Sequence, residues 1–193
     1  ILTVQTGVEM QDFHMEDLIG NVVIATMTRE MGPFVTAIIL IASVGSSMAT
    51  ELGTMKVSEE IDALEIMSIN PVRFLVMPRV VALSVMLPVA TVYTNVVGTL
   101  GGAIVAHSHL QMPYETFYLH VLQSLHFKAV YVGLFKSLTF GILVSSVSCA
   151  QGLLASNGAM GVGKATRDSV VGSFLLVLIV GYFITEMFFG GMV

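Results

Sequence analysis

VVALSVMLPVATVYTNVVGTLGGAIVA, residues Val80 to Ala106, runs for 27 residues without a charged side chain. As a helix rising ~1.5 Å per residue it would reach about 40 Å, enough to cross the ~30 Å hydrocarbon core of a bilayer with some tilt. Pro88 is the one residue inside it that predicts a kink. A soluble helix shows water a charged face, and this stretch has none.

Reading outward from it, three further stretches have the same character. Leu18–Thr50 is apolar apart from the insert Arg29-Glu30-Met31-Gly32-Pro33. Its 33 residues would reach roughly 50 Å as one helix, so a break is expected at Gly32-Pro33. Pro33–Thr50 is then the spanning part and Leu18–Thr28 an accompanying segment. Ala129–Gly152 is interrupted only by Lys136, and Ser169–Phe189 carries Glu186 near its end. His107–Lys128 is amphipathic, with His, Tyr and Phe, and reads as an interfacial helix or loop. The chain as a whole is 55% hydrophobic and 11% charged, against roughly 25% charged in a soluble domain. The expected fold is all-α: a polytopic membrane bundle with four spans, forming a single domain over residues 1–193. The apolar start at Ile1 suggests that an upstream span has been lost by truncation.

Charge gives the sidedness. Glu51–Arg79 carries Lys56, Arg73 and Arg79, and the Gly-rich loop expected at Leu153–Asp168 carries Lys164 and Arg167. On the other side, His107–Lys128 carries one base, so the two basic segments are expected in the cytoplasm. A net charge of −5 without a basic stripe excludes a nucleic-acid surface. Cys149 is the only cysteine, which excludes an intrachain disulfide or a cysteine metal cluster. The five His have no ligand spacing beyond a weak His107-x-His109, and no Ser/His/Asp arrangement or intramembrane aspartate pair is present. No catalytic residue and no enzyme activity are therefore expected.

Small residues recur at helix-packing spacing: Gly45 with Ala49, Ser43 with Ser47, Gly98 with Gly102, Gly141 with Ser145. Such pairs let helix backbones approach closely within the chain or between two copies.

The stretch from Ser58 to Pro71 predicts a short helix, with Ser58 as its N-cap and Glu59, Glu60 and Asp62 at the positive end of its dipole. Ile61, Leu64 and Met67 share a face, and Asn70-Pro71 ends it. About eleven residues reach only ~16 Å, so this is a connector between spans on the cytoplasmic side. A membrane-surface helix prefers Lys and Arg on its polar face. This helix is acidic, which favours docking into a cytoplasmic protein.

Gly158–Ala165 imitates a phosphate loop, but Ala165 stands where a Ser/Thr hydroxyl should hold magnesium and no strand precedes it. Turning the chain and placing Lys164 and Arg167 beside headgroups explains it better. Lys136, eight residues into its span, either faces a cavity or partner or snorkels to the outer interface. Arg29 and Glu30 form a local ion pair at the break or line a polar opening for a headgroup.

Taken together, Thr28-Arg-Glu-Met-Gly-Pro33, Ala49-Thr-Glu-Leu-Gly-Thr-Met-Lys56, Ser58-Glu-Glu-Ile-Asp-Ala-Leu-Glu-Ile-Met67, Asn70-Pro71, Pro78-Arg79 and Gly158-Ala-Met-Gly-Val-Gly-Lys-Ala-Thr166 resemble the MlaE/YrbE permeases. These are membrane subunits of ABC-type lipid transporters associated with Mce-domain proteins, and the resemblance covers about Thr3 to Phe189. It implies a five-span protomer when complete and a homodimer bound to two cytoplasmic ATPase subunits, which hold the ATP and magnesium. This chain itself would hold no cofactor or metal. It further implies a phospholipid cavity continuing into a periplasmic Mce ring, and residence in the bacterial inner membrane or the plastid inner envelope. Glu59, Glu60, Asp62, Leu64 and Met67 match the family's coupling helix. Arg29, Glu30, Lys136 and Lys164 match polar or basic sites, and Phe13 and Met31 fall where cavity-lining residues lie. Tyr182 stands where some members carry an acid. The implied function is a permease moving phospholipid between the inner membrane and a periplasmic Mce-domain carrier. From a different class, a small-solute channel or permease without an ATPase is the alternative.

Overall fold

The computed structural model of the protein describes residues 3, 5, 19–110 and 112–190. Among these the ordered elements are all helical: α1 (Ile19–Thr26), α2 (Gly32–Leu40), α3 (Ser46–Val57), α4 (Glu60–Ile66), α5 (Met77–Leu110), α6 (Tyr114–Ser124), α7 (Phe127–Leu153) and α8 (Gly158–Phe189). Wider π-turns join α1 to α2 (Met27–Met31) and α2 to α3 (Ile41–Gly45), and a third (Val72–Val76) leads into α5. Four continuous helical runs are long and apolar enough to cross a membrane: Gly20–Val57, Val72–Ser108, Phe127–Leu153 and Gly158–Phe189.

The break expected at Gly32-Pro33 is absent. The helix widens there instead, with the Gly32 N–H reaching back five residues to the Met27 carbonyl. Pro33 therefore lies inside a continuous helical run, and the widened turn before it makes room for its ring. Pro88 lies inside α5, and the helix continues through it. The loop expected over Leu153–Asp168 is also shorter: α7 runs to Leu153 and α8 begins at Gly158. Asn157 (φ 64°) and Gly158 (φ 70°) reverse the chain between them in left-handed backbone, which Gly adopts freely and Asn tolerates.

By internal contacts the chain forms two compact units, Ile1–Pro33 with Ala90–Phe135, and Phe34–Val89 with Lys136–Val193. In the first, α1 packs on α6, and Val23, Ile24, Ala103, Phe117 and Val121 form the core. The segment read as an interfacial helix or loop is thus a helix. Phe117 and Val121 face inward, and Leu119 and Leu122 are exposed on its other side. Gly133 lets α7 come up to the Thr28 carbonyl, where any Cβ would collide.

In the second unit, Ala37, Ile41, Leu83, Leu87, Phe140, Val144 and Val177 form the main core. Its helices approach closely through small residues: a Cβ on Gly141 would lie 2.8 Å from the Ser84 Cα, and one on Gly45 3.0 Å from the Ser148 Oγ. These contacts are within the chain. Ser148 and Ser169, both fully buried, bridge α7 and α8 at 3.0 Å. Ser43 and Ser47, by contrast, are exposed.

Candidate functional site

The charged end of the second unit carries the short helix α4. Its boundaries differ from the sequence expectation. The Ser58 hydroxyl donates to the Thr54 carbonyl at 2.9 Å, so it closes α3 rather than capping α4. Glu59, in left-handed backbone (φ 63°), stands at the N-cap position, and only seven residues, Glu60–Ile66, are α-helical. The link that follows turns at Ser68 (φ 61°), and Asn70 caps the next turn by accepting the Val72 and Arg73 N–H groups at 3.0 and 3.2 Å.

The helix is divided by face. Ile61 is 2% exposed and anchors α4 to its own body. Asp62 pairs with Lys56 at 2.6 Å, tying the helix back to the last turn of α3. Glu59, Glu60 and Glu65 are exposed, Leu64 is half-buried, and Met67 is exposed. Ile66, which periodicity did not single out, is 85% exposed. A helix this short cannot persist alone; the Ile61 and Asp62 contacts hold it, and its outer side presents carboxylates beside unburied Ile66 and Met67.

Lys164 lies in the second turn of α8, not in a loop. It lines a polar cleft of about 230 Å³ with Asn157 and Asp168 among its walls. A helical Lys at this place has no backbone cradle wrapped before it, in keeping with rejection of a phosphate loop.

Two groups of polar residues lie in the spans, one in each unit. In the first, Arg29 and Glu30 are half-buried on the π-turn, and Met31 is exposed beside them. Thr28 is buried, its hydroxyl donating to the Ile24 carbonyl at 2.8 Å. Phe13 lies outside the described residues. In the second, Lys136 is 1% exposed and its Nζ donates to the Thr185 Oγ1 at 2.7 Å. The Thr185 hydroxyl in turn donates to the Gly181 carbonyl at 2.9 Å. Snorkelling to the outer interface, one of the two sequence readings, is therefore not what Lys136 does. Thr185 had no sequence signal, since a lone Thr in a span usually bonds only its own helix. Tyr182 is exposed.

One cross-helix ion pair was missed altogether. Arg79 in the first turns of α5 meets Glu51 of α3, Nη2 to Oε2, at 3.0 Å. Their wide separation in sequence, with a whole helix in the interval, hides the pairing from any local pattern.

Comparison with known proteins gives this arrangement its context. The family model for Permease MlaE matches residues 1–187. A probable ABC transporter permease protein of Rickettsia typhi is 38% identical over 189 residues, covering 98% of this chain and 73% of that protein. Another from Synechocystis is 36% identical over 192 residues, covering 99% and 73%. A third, from Pyropia yezoensis, is 31% identical over 189 residues, covering 98% and 72%. The four hydrophobic helical runs and the match over nearly the whole chain agree: this multi-pass membrane protein belongs to the MlaE family of ABC transporter permeases, which are transport subunits rather than catalytic enzymes.

Proposed function

We propose that this chain is the permease half of a transporter that moves phospholipid, or an amphiphile like it, between the inner membrane and a periplasmic Mce-domain carrier. It would act as a homodimer on two cytoplasmic ATPase subunits that bind the ATP and magnesium. The observation that carries this reading is α4, a seven-residue helix tethered to its own spans on one side and presenting Glu60, Glu65, Ile66 and Met67 on the other. An ABC permease implies an ATPase partner, and a channel without one would have no use for such a surface.

Closure of the ATPases would press on α4. The Lys56–Asp62 pair ties α4 to the last turn of α3 and would pass that push to it, with the buried Ile61 holding α4 against its own body. Work is done only if the contacts differ between the two nucleotide states. Glu59, Glu60, Leu64 and Met67 would form the gripped surface together with Ile66, and Asp62 would couple it to α3 through Lys56. Arg29, Glu30, Met31, Lys136 and Lys164, with Phe13, would serve the lipid pathway as polar or lining residues.

Affinity purification followed by native mass spectrometry of the solubilised complex tests the reading. The expected result is an ATPase dimer, two permease copies and bound phospholipid. Leu64→Asp should lose the ATPase, and Lys136→Met should lose transport while the two permease copies stay together. Purification without any ATPase, with Leu64→Asp fully active, would refute it.

A further inference from the structure

We infer that the groove beside the Glu51–Arg79 pair is a second amphiphile site, built for the zwitterionic head of a phospholipid on the basic side of the membrane. It rests on the lipid-transport reading above but involves none of the residues assigned there. The groove lies wholly in the second unit, has a volume of about 410 Å³ and is lined by Ser43, Val44, Ser47, Met48, Glu51 and Arg79. That volume falls among small-molecule sites, which run roughly 300–1,000 Å³.

Its two ends differ in chemistry. At one end both signs of charge stand together: Arg79 Nη2 holds Glu51 Oε2 at 3.0 Å, and the Ser47 hydroxyl donates to Glu51 Oε1 at 3.1 Å. Arg79 Nη1 is shielded and has no hydrogen-bond partner among the described residues. A guanidinium serves phosphate with paired N–H donors; one of its nitrogens is in use, and the other is turned into the protein, so it reaches the groove only when the side chain swings. The carboxylate is 58% exposed.

Away from the charges the groove has apolar walls set among the serines. Val44 and Met48 wall it, and Ala82 and Met86, one and two turns beyond Arg79 on its own helix face, are exposed. Ser43 and Ser47 put exposed hydroxyls on a transmembrane helix, and bare hydrocarbon does not suit them. The Ser43 proton goes to the Ile39 carbonyl at 2.7 Å, leaving its oxygen as an acceptor.

A phosphate-and-ammonium head matches this end. As the guanidinium turns into the groove its spare nitrogen would take a phosphate oxygen, and Glu51 would take the ammonium. The acyl chains would run past Met48 and Met86. A head with phosphate alone would leave Glu51 facing an anion, so the site would favour zwitterionic over anionic lipid. Arg73 and Lys56 are near in sequence to its charged end and place it toward the basic side.

The test uses the permease–ATPase complex in nanodiscs, with photoactivatable phosphatidylethanolamine or phosphatidylglycerol as probe and peptide mapping as readout. Phosphatidylethanolamine should label residues 43–51 and 79–86 about fivefold more than phosphatidylglycerol, the scale of one partly exposed charge contact. Ser47→Phe should fill the groove and remove that labelling at unchanged melting temperature. Glu51→Gln, a change that fills nothing, should keep labelling and erase the preference between the two lipids.

Labelling that survives Ser47→Phe, or a preference that survives Glu51→Gln, overturns the site. So does displacement of the label by inorganic phosphate irrespective of lipid type, which would make it a simple anion site. Near-complete disulfide linkage of Ser47→Cys between two copies would overturn it too, because the face would then be a subunit interface. Wild-type complex carrying no phospholipid anywhere refutes lipid transport itself; lipid bound only at other helices refutes this groove alone.

Discussion

A lysine shut away from water depends on what accepts its hydrogens, and for Lys136 one such group is the Thr185 hydroxyl. Thr185→Val keeps the shape and removes that acceptor, which should cost about 1–3 kcal/mol and show as a lower melting temperature in detergent. Gly133 is decided by space rather than hydrogen bonding. Pro33 has no N–H to return to the widened turn, and Gly133 packs directly on the Thr28 carbonyl. Gly133→Ala should destabilise the protein by about 1–3 kcal/mol through overpacking. Gly101→Ala is the control: a Cβ there meets nothing within 4 Å, and alanine's better helix propensity makes a neutral or slightly stabilising change the expectation. Thermal denaturation of both variants side by side separates crowding from propensity.

At the scale of the element, α4 splits into an inner and an outer face that should respond differently. Ile61→Ala removes a buried anchor and should lower stability by about 2–5 kcal/mol, less if the short helix settles inward. Ile66→Asp changes a side chain that is 85% exposed, so melting should not move. ATPase recovery on affinity beads should nevertheless fall about tenfold or more, as for an apolar anchor in a partner's pocket. Breaking the Lys56–Asp62 pair with Asp62→Asn should leave the melting temperature nearly unchanged, because both partners are partly in water. The periodicity of residues 58–68 revealed that a helix is there and that it is acidic. It misjudged the start because Ser58 has two carbonyls of the preceding turn within reach, and α3 claims its hydroxyl. It also put Ile61 and Met67 on one face, whereas Ile61 is buried and Met67 exposed, since the helix ends at Ile66 before Met67 can share its register.

For the molecule as a whole, sidedness is the testable property. Ser68→Cys and Ser156→Cys should react with a membrane-impermeant maleimide only after cells are opened, and Gln123→Cys in intact spheroplasts; the reverse pattern would invert the topology. Cys149 does not interfere, being 1% exposed. Hydrophobic runs longer than a bilayer, the uneven placement of bases and the ordered motifs were enough to determine an all-helical membrane protein, its four spans and its family, because transfer into lipid is a sum over residues and needs no knowledge of neighbours. The tertiary structure alone decided how the polar groups within those spans are used. Whether Lys136 is shielded, whether Ser47 is open, and whether Glu51 finds Arg79 all depend on which helix lies opposite, and contacts between residues distant in sequence leave no periodic trace. The π-turn at Met27–Met31 belongs with them: a Gly-Pro pair permits either a stop or a widened turn, and packing of the helices around it selects one.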